Sequence, residues 1–417
     1  FVDNDDPVNY LATPDLFANK AFANKTYQEF LDWYPAYQLA KNNKSPKLTK
    51  DMDCNFNTGD EGFGAVHFDA YKIIDAIKSK IISRITYVDT NIVDIGTDVN
   101  GISYLKDENG VNYEADLYMD CTGFESLLLE QKLEQQFISF KPWLPNDRAV
   151  ALQTQYTNPE EECHPYTKAT AMDAGWRWTI PVYDRIGNGY CYSSDYITPE
   201  QAEAELREAV GEYDAPAKHL EMKCGTHQAV AHKNVLAVGL AGGFVEPLEA
   251  SSIGSSINQT FLLAQRLVNY NEETINRYNL EVTAIMDNIR DFIVLHFVCP
   301  RVDTEFWRKV AETPLPKSLQ SKLDTWRHRM PTEIDFDDDT NFILFKALHF
   351  VMVLHGLKLF DIDSIGEEYA TLHESFKQKA DEVRAHLNNE SHEDHAFLTQ
   401  KEFLTMVRKL HKETTGQ

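Results

Sequence analysis

The stretch Asn234–Ile253, NVLAVGLAGGFVEPLEASSI, constrains the fold of this chain more than any other. A short aliphatic run stops at Gly239, Gly242 and Gly243, and SSINQTFLLAQRLVNY then places apolar residues at helical spacing. Strand, glycine turn and helix in that order form half of a nucleotide-binding unit, in which a parallel strand delivers bare backbone to a ligand. The helix mouth behind the turn has N–H groups free for an anion or a cofactor edge. Between them, Glu246-Pro247-Leu248-Glu249 is a proline-pinned turn that sets carboxylates beside that mouth. Acid or base catalysis is one use for such a group. The plainer use is electrostatic: Glu246 and Glu249 then simply occupy the electropositive first turn.

The chain before this stretch supplies two more elements of interest. LYMDCTGF is an apolar strand ending at Cys121-Thr122-Gly123, where a glycine lets backbone approach a ligand. Upstream, Asp69 is placed to cap a helix carrying Ile73, Ile74, Ile77 and Ile81. Asn100-Gly101 and Asn109-Gly110 suit type I′ hairpins, which predicts a three-stranded meander over 84–98, 101–106 and 111–118. Residues 135–195 alternate strand-like pieces with turn signals and predict a second sheet. Within it Trp176, Trp178 and Ile180 are two apart and share one face. Two indoles on one face make a broad flat wall for a conjugated ring, although core packing explains such a pair equally simply. QAEAELREAV reads as a short helix. From residue 271 onward Ile275, Tyr278, Val282, Ile285, Ile289 and Phe292 mark a long amphipathic helix that opens a mainly helical last third. Before residue 60, polar residues with interspersed aromatics suggest short helices and loops.

Several function classes are disfavoured. A net charge of −25 over 417 residues repels phosphate backbones and anionic lipid, so no nucleic acid and no membrane partner is expected. The six cysteines contain no CxxC pair, which argues against a zinc ribbon or a disulfide framework and fits a reducing cytoplasm. Residues 342–360 are apolar, yet Lys346, His349, His355 and Lys358 make them a core helix rather than a bilayer span. No HExxH or GxSxG occurs. His392 and His395 follow Ser391 as the start of a helix rather than a metal site, and the acids 335–339 lack the glycine of a calcium loop. No bound metal is expected. The opening FVDNDDPVNY is neither a signal peptide nor a natural beginning, so the chain is expected to be part of a longer protein.

Six blocks in order, HFDA, LYMDCTGFESLLL, LPNDRAVA, PYTKATAM, GWRWTIP with RIGNGYCYSS, and GLAGGFVEPLEASSI, together resemble the flavin-dependent tryptophan halogenase family. The resemblance runs from about His67 to Trp307, ending in the FWR of DTEFWRKV, and its WxWxIP element is specific. It implies an α/β (α+β) fold of the FAD-binding, flavin-monooxygenase-like kind with a second sheet and a helical C-terminal region. Residues 1–270 would form the FAD-binding module, with the sheet at about 135–195 inserted, and 271–417 the substrate side. The implied activity uses FADH2, O2 and halide to make hypohalous acid, which halogenates a small electron-rich aromatic of indole, phenol or pyrrole type. Reduced FAD would come from a separate flavin reductase, since no nicotinamide site is evident.

The resemblance also implies roles for individual residues. Thr122, Gly123, Gly239, Ala241 and Gly242 line the FAD. Trp176, Trp178, Ile180 and Pro181 match the WxWxIP segment near the flavin, which disfavours direct oxygenation of substrate. Glu249 matches the catalytic glutamate, and Ser251 and Ser252 match the halide segment. Ala250 stands where tryptophan-specific members often carry serine. The family's GxGxxG strand and catalytic lysine have no counterpart here, and none of Lys20, Lys25 or Lys41 lies in a recognisable lysine segment. An N-terminal dinucleotide-binding unit is therefore expected to be missing from the chain. A monooxygenase or reductase of the same fold, or a flavin-free binding scaffold, are the alternatives, and homo-oligomer formation is left open.

Overall fold

The computed structural model describes residues 42–45, 67–266, 269–336, 340, 342–375, 377–378 and 398–415. The elements expected before residue 60 (42–45 apart), the acids 337–339 and the helix expected at His392 and His395 lie outside these residues.

Asp69 caps as its position requires: its carboxylate accepts from the backbone of Tyr71 and Lys72 and starts helix α1, Ala70–Ile81. The isoleucine face of α1 nevertheless stays in solvent, with Ile73, Ile74, Ile77 and Ile81 each 42–57% exposed. A meander follows, built of β1 (Ile92–Asp98), β2 (Gly101–Asp107) and β3 (Asn112–Tyr113) in the order β1-β2-β3. Neither turn is type I′, because among the described residues neither Asn100 nor Asn109 has a positive φ. Gly101 itself has a φ of 128°, and close approach excludes a side chain there as well. A Cβ there would lie 2.0 Å from Asn234 Oδ1, the atom that accepts from Ile102 N at 2.8 Å. At the second turn Gly110 alone takes a left-handed φ of 82°, inside a loop tied by both backbone bonds of Asp107 with Gly110 and Val111.

The nucleotide-type strands are short. β4 (Tyr118–Asp120) pairs parallel with β13 (Val235–Ala237), and β12 (Ala231–His232) completes the sheet β12-β13-β4. The strand that the sequence ends at the glycines stops after Ala237, and the glycine segment forms a 3-10 turn, Gly239–Ala241, and a two-residue strand β14, Gly243–Phe244. β14 joins β11 (Gly225–His227) and β5 (Phe137–Ser139) in a third sheet. Glycine spacing sets this break, since the backbone folds back so tightly that a Cβ on Gly242 would touch Ala237 O at 2.9 Å.

The second sheet is present and reaches beyond 135–195. β6 (Arg148–Thr154), β7 (Lys168–Met172), β8 (Gly175–Val182) and β9 (Arg185–Tyr192) are joined by β10 (Lys218–Glu221) in the antiparallel order β10-β6-β9-β8-β7. Helix α2 (Pro199–Val210) begins with a capping box between Thr198 and Gln201 and buries Ala202 and Leu206. Helix α3 (Ser251–Arg266) packs on α4 (Glu272–His296), whose Tyr278, Val282, Ile285, Ile289 and Phe292 enter the core as their spacing predicts. Helix α5, Ala347–Gly356, is the expected core helix, with Phe350, Val351, Val353 and Leu354 almost fully buried. Among the described residues the main hydrophobic core runs from Phe140 to Ile365, and a separate cluster that includes Tyr118, Leu129, Val235 and Ala241 packs around β4 and β13. Among the described residues no helix is long and apolar enough to cross a membrane.

Candidate functional site

The parallel pairing of β4 and β13 brings together two loops that are more than a hundred residues apart in sequence. Val238 N donates to Asp120 O at 3.0 Å, and Ser126 Oγ donates to Ala241 O at 2.9 Å, so Cys121–Ser126 and Gly239–Gly242 lie side by side. Asp120, fully buried, organises the first loop. Its carboxylate accepts from Thr122 N and Oγ1 and from the backbone of Leu128 and Leu129, capping the one-turn helix Leu127–Lys132. An acid at a strand end just before Cys-Thr-Gly was the available signal, and its role as a cap was not read from it. Ser126 and Ala250 hold left-handed φ values of 42° and 48°, a conformation that costs non-glycine residues energy and that concentrates at functional sites.

The fit to a flat cofactor rests on the two glycines at these strand ends. Gly123 (φ 71°) has nothing within 4 Å of an ideal Cβ, and Gly239 (φ 64°) meets only Ser256 Oγ, at 3.4 Å. Both turns thus offer bare backbone at the carboxyl ends of parallel strands, where ligands of open α/β sheets bind. Thr122 and Ala241 lie in the same two loops. These residues fit the edge of a flavin.

Trp176 and Trp178 share a face of β8 as expected, but they do not make a flat wall. Their rings are 6.0 Å apart and inclined at 55°. Trp176 is a core residue whose indole N–H donates to Glu246 Oε2 at 2.9 Å. Trp178 lies instead over β9, where a Cβ on its partner Gly189 would come within 1.9 Å of the ring. Next along the strand, Pro181 O is 2.8 Å from His67 Nδ1, and Arg185 on the adjoining hairpin pairs with Asp69 at 2.7 Å. The HFDA block therefore braces the WxWxIP strand. Ile180 is half-buried beside Pro181.

Glu246 and Glu249 separate sharply. Glu246 has no exposed surface; Asn146 Nδ2 joins Trp176 in donating to Oε2, and Oε1 receives no bond from any described residue. Burial pushes its pKa up to about 7 against the opposing effect of the Trp176 and Asn146 hydrogen bonds. Glu249 ends the 3-10 turn Pro247–Glu249, and its side chain is 16% exposed. Its Oε1 lies 3.0 Å from Nε2 of the buried His296, in the last turn of α4. His296 was not singled out from the sequence, where it is one more polar residue at the end of an apolar helix. Immediately after Glu249 and Ala250, Ser251 (buried) and Ser252 open α3, where the first N–H groups have no partner within the helix. The structure thus gathers Thr122, Gly123, Gly239, Ala241, Gly242, Glu249, Ser251 and Ser252 around two strand ends and one helix mouth, while Trp176 touches this turn through Glu246.

A tryptophan halogenase family model matches residues 7–366. The chain is 33% identical over 343 residues to the 7-chloro-L-tryptophan 6-halogenase KtzR of Kutzneria sp. (strain 744), covering 77% of this chain and 66% of that protein. It is 36% identical over 274 residues to the tryptophan 6-halogenase SttH of Streptomyces toxytricini, covering 64% and 52%. Among solved structures, Tar14, a tryptophan C-6 flavin-dependent halogenase from taromycin biosynthesis, superposes with a TM-score of 0.82 at 28% identity, over 96% of this chain and 81% of its own. BrvH, a flavin-dependent halogenase from Brevundimonas sp. BAL3, gives 0.75 at 25% identity, over 91% and 76%. The chain spans half to two thirds of the length of the curated relatives it matches. Its mixed α/β architecture is theirs, and by the extent of the family match the chain belongs to the tryptophan halogenase family.

Proposed function

We propose that the whole protein is an FADH2-dependent halogenase of a small electron-rich aromatic, an indole being the class favoured by the names of its relatives. The observation that carries this reading is Glu249, a partly exposed carboxylate that stands beside an anion-binding helix mouth and across a short turn from the two glycine loops. Bare backbone at Gly123 and Gly239, with Thr122, Ala241 and Gly242, would hold the FAD. When bound, reduced FAD would give two electrons to O2, and the resulting peroxide-level oxidant would take two electrons from halide to make an electrophilic halogenating agent. Ser251, Ser252 and the first N–H groups of α3 bind the halide. Trp178, Ile180 and Pro181 lie toward the flavin and disfavour direct oxygenation of the substrate, and Trp176 holds the turn in place through Glu246. Glu249 takes up the proton that leaves the halogenated ring carbon. A separate flavin reductase supplies the reduced cofactor.

The same proposal includes a dinucleotide-binding unit lying outside this sequence. It is supported by apolar surface that otherwise stands in water: the isoleucine face of α1, and Ile253, Ile257 and Phe261 spaced four apart on α3, all at least 42% exposed. Coverage of the relatives is consistent with it.

The test is a reaction of the full-length protein with FAD, a flavin reductase, NADH, O2, bromide and tryptophan or indole. A product heavier by one bromine in place of hydrogen, formed only with all components, is expected. A hydroxylated product formed without halide would replace this reading with the monooxygenase one.

A further inference from the structure

His296 and Glu249 reach the same point from different elements, and their chemistry fixes how many protons they hold. His296 is 2% exposed, and its Nδ1 lies 2.8 Å from Phe292 O. A carbonyl oxygen only accepts, so Nδ1 carries the hydrogen and a neutral ring would present a lone pair at Nε2. Nε2 lies 3.0 Å from Glu249 Oε1, and two unprotonated acceptors repel at such a separation, which calls for a proton on one of them. Of the two groups, imidazole is ordinarily the more basic, so the proton belongs on the ring. The surroundings strengthen the contact: Phe292 meets the imidazole edge to face at 4.9 Å and stacks in turn on Phe345, which keeps bulk water from one side of the pair.

We propose that His296 is the positioning residue of Glu249: as an imidazolium it holds Oε1 and keeps the carboxylate ionised, leaving Oε2 to receive the proton of the substrate. This rests on the reading of Glu249 given above. In the step concerned, the C–H bond at the halogenated ring carbon breaks, its electron pair restores the aromatic ring, and the proton bonds to Oε2. His296 keeps both of its N–H hydrogens throughout. Oε1 and Nε2 stand in ion-pair contact rather than in a straight hydrogen bond. Catalytic contacts commonly tighten only in the complex.

Histidine-selective 15N labelling of the full-length protein gives a readout that a purely structural role would not move. The His296 signal is identified by its loss in His296→Gln. At pH 7 it should carry the signature of a doubly protonated ring, and in Glu249→Gln it should become a neutral Nδ1–H tautomer. A neutral ring in the native protein overturns the proposal. In turnover, His296→Gln and His296→Asn should lower kcat by about tenfold or more while FAD affinity and the KM for the aromatic hold, and neither should add a loss in the Glu249→Gln background. Losses that add in that background, or that track only a falling Tm, also overturn it. Full activity of Glu249→Gln would instead remove the role given to Glu249 itself, whatever charge the ring carries.

Discussion

Glu246 and Glu249 stand at the inner and outer ends of one proline-pinned turn, and three residues of chain give them opposite chemistry. The inner carboxyl is sealed in the core among neutral donors, Trp176 and Asn146, with the buried thiols Cys191 and Cys224 nearby, and burial favours its neutral acid. The outer one keeps some contact with solvent and faces an imidazole. A carboxylate's use is set by what surrounds it: the inner end holds a tryptophan, and under the proposed function the outer end would exchange a proton. Glu246 is accordingly no neutral reference for variants of Glu249.

The largest expected effect lies at the outer end. Glu249→Gln should lower the halogenation rate by on the order of 10²-fold or more with Tm and FAD binding retained, measured in single-turnover assays. Loss of the fold instead would erase the distinction between the two ends. At the inner end stability should respond. Glu246→Ala strands the Trp176 and Asn146 donors and should cost roughly 2–4 kcal/mol in denaturant unfolding. Glu246→Gln keeps an acceptor and removes the charge. Because the folded pKa of about 7 lies above the ordinary 4.5, the folded state binds the extra proton between those values. Native stability should therefore fall as pH rises from about 4.5 to about 7, by up to about 3 kcal/mol, and then level off. The Gln variant should lack this fall, and equal pH profiles for both proteins would mean that Glu246 is ionised throughout.

Smaller effects sharpen the picture. Gly189→Ala drives a methyl into the ring of Trp178 and should cost about 1–3 kcal/mol while leaving Trp176 fixed by Glu246. Near-ultraviolet circular dichroism would show one indole disturbed, and disturbance of both would couple the two tryptophans. The smallest effect is expected at Ala250. If the proposed halide site lies beside it, its lack of a hydroxyl weakens hydrogen bonding there, which penalises the strongly hydrated chloride, so bromide should be used at least as well as chloride. Ala250→Ser should then shift the product ratio in an equimolar bromide–chloride competition toward chloride by about a few-fold. An unchanged ratio would take Ala250 out of halide choice.

Periodicity and capping were legible in the sequence wherever local chemistry decides. Asp69, the QAEAELREAV pattern and the apolar spacing of α4 each led to the element observed. Contacts between distant segments were not. Asn100-Gly101 marks a turn in any sequence and Gly101 takes a positive φ, but the approach of Asn234 that also excludes a Cβ comes from across the meander, and no local pattern carries it. Trp176 and Trp178 alternate correctly on their strand, yet their tilt follows from Glu246 and Gly189, which lie on other elements. The two candidate loops could be paired only through the parallel register of β4 and β13. For the same reason His296 stayed hidden: its meaning comes wholly from the end of a turn more than forty residues earlier.

That pairing carries a cost in time on the ribosome. β4 and its loop are synthesised long before β13, with the whole five-stranded sheet coded in between. At ordinary elongation rates the wait is on the order of ten seconds. Asp120 can cap Leu128 and Leu129 at once from neighbouring chain, whereas the bond from Ser126 to Ala241 must wait. The nascent chain therefore carries β4 as an unpaired edge throughout that interval, the state in which strands pair with the wrong neighbour. Synonymous codons that slow translation between residues 127 and 234 should lower the yield of folded protein without changing a single amino acid.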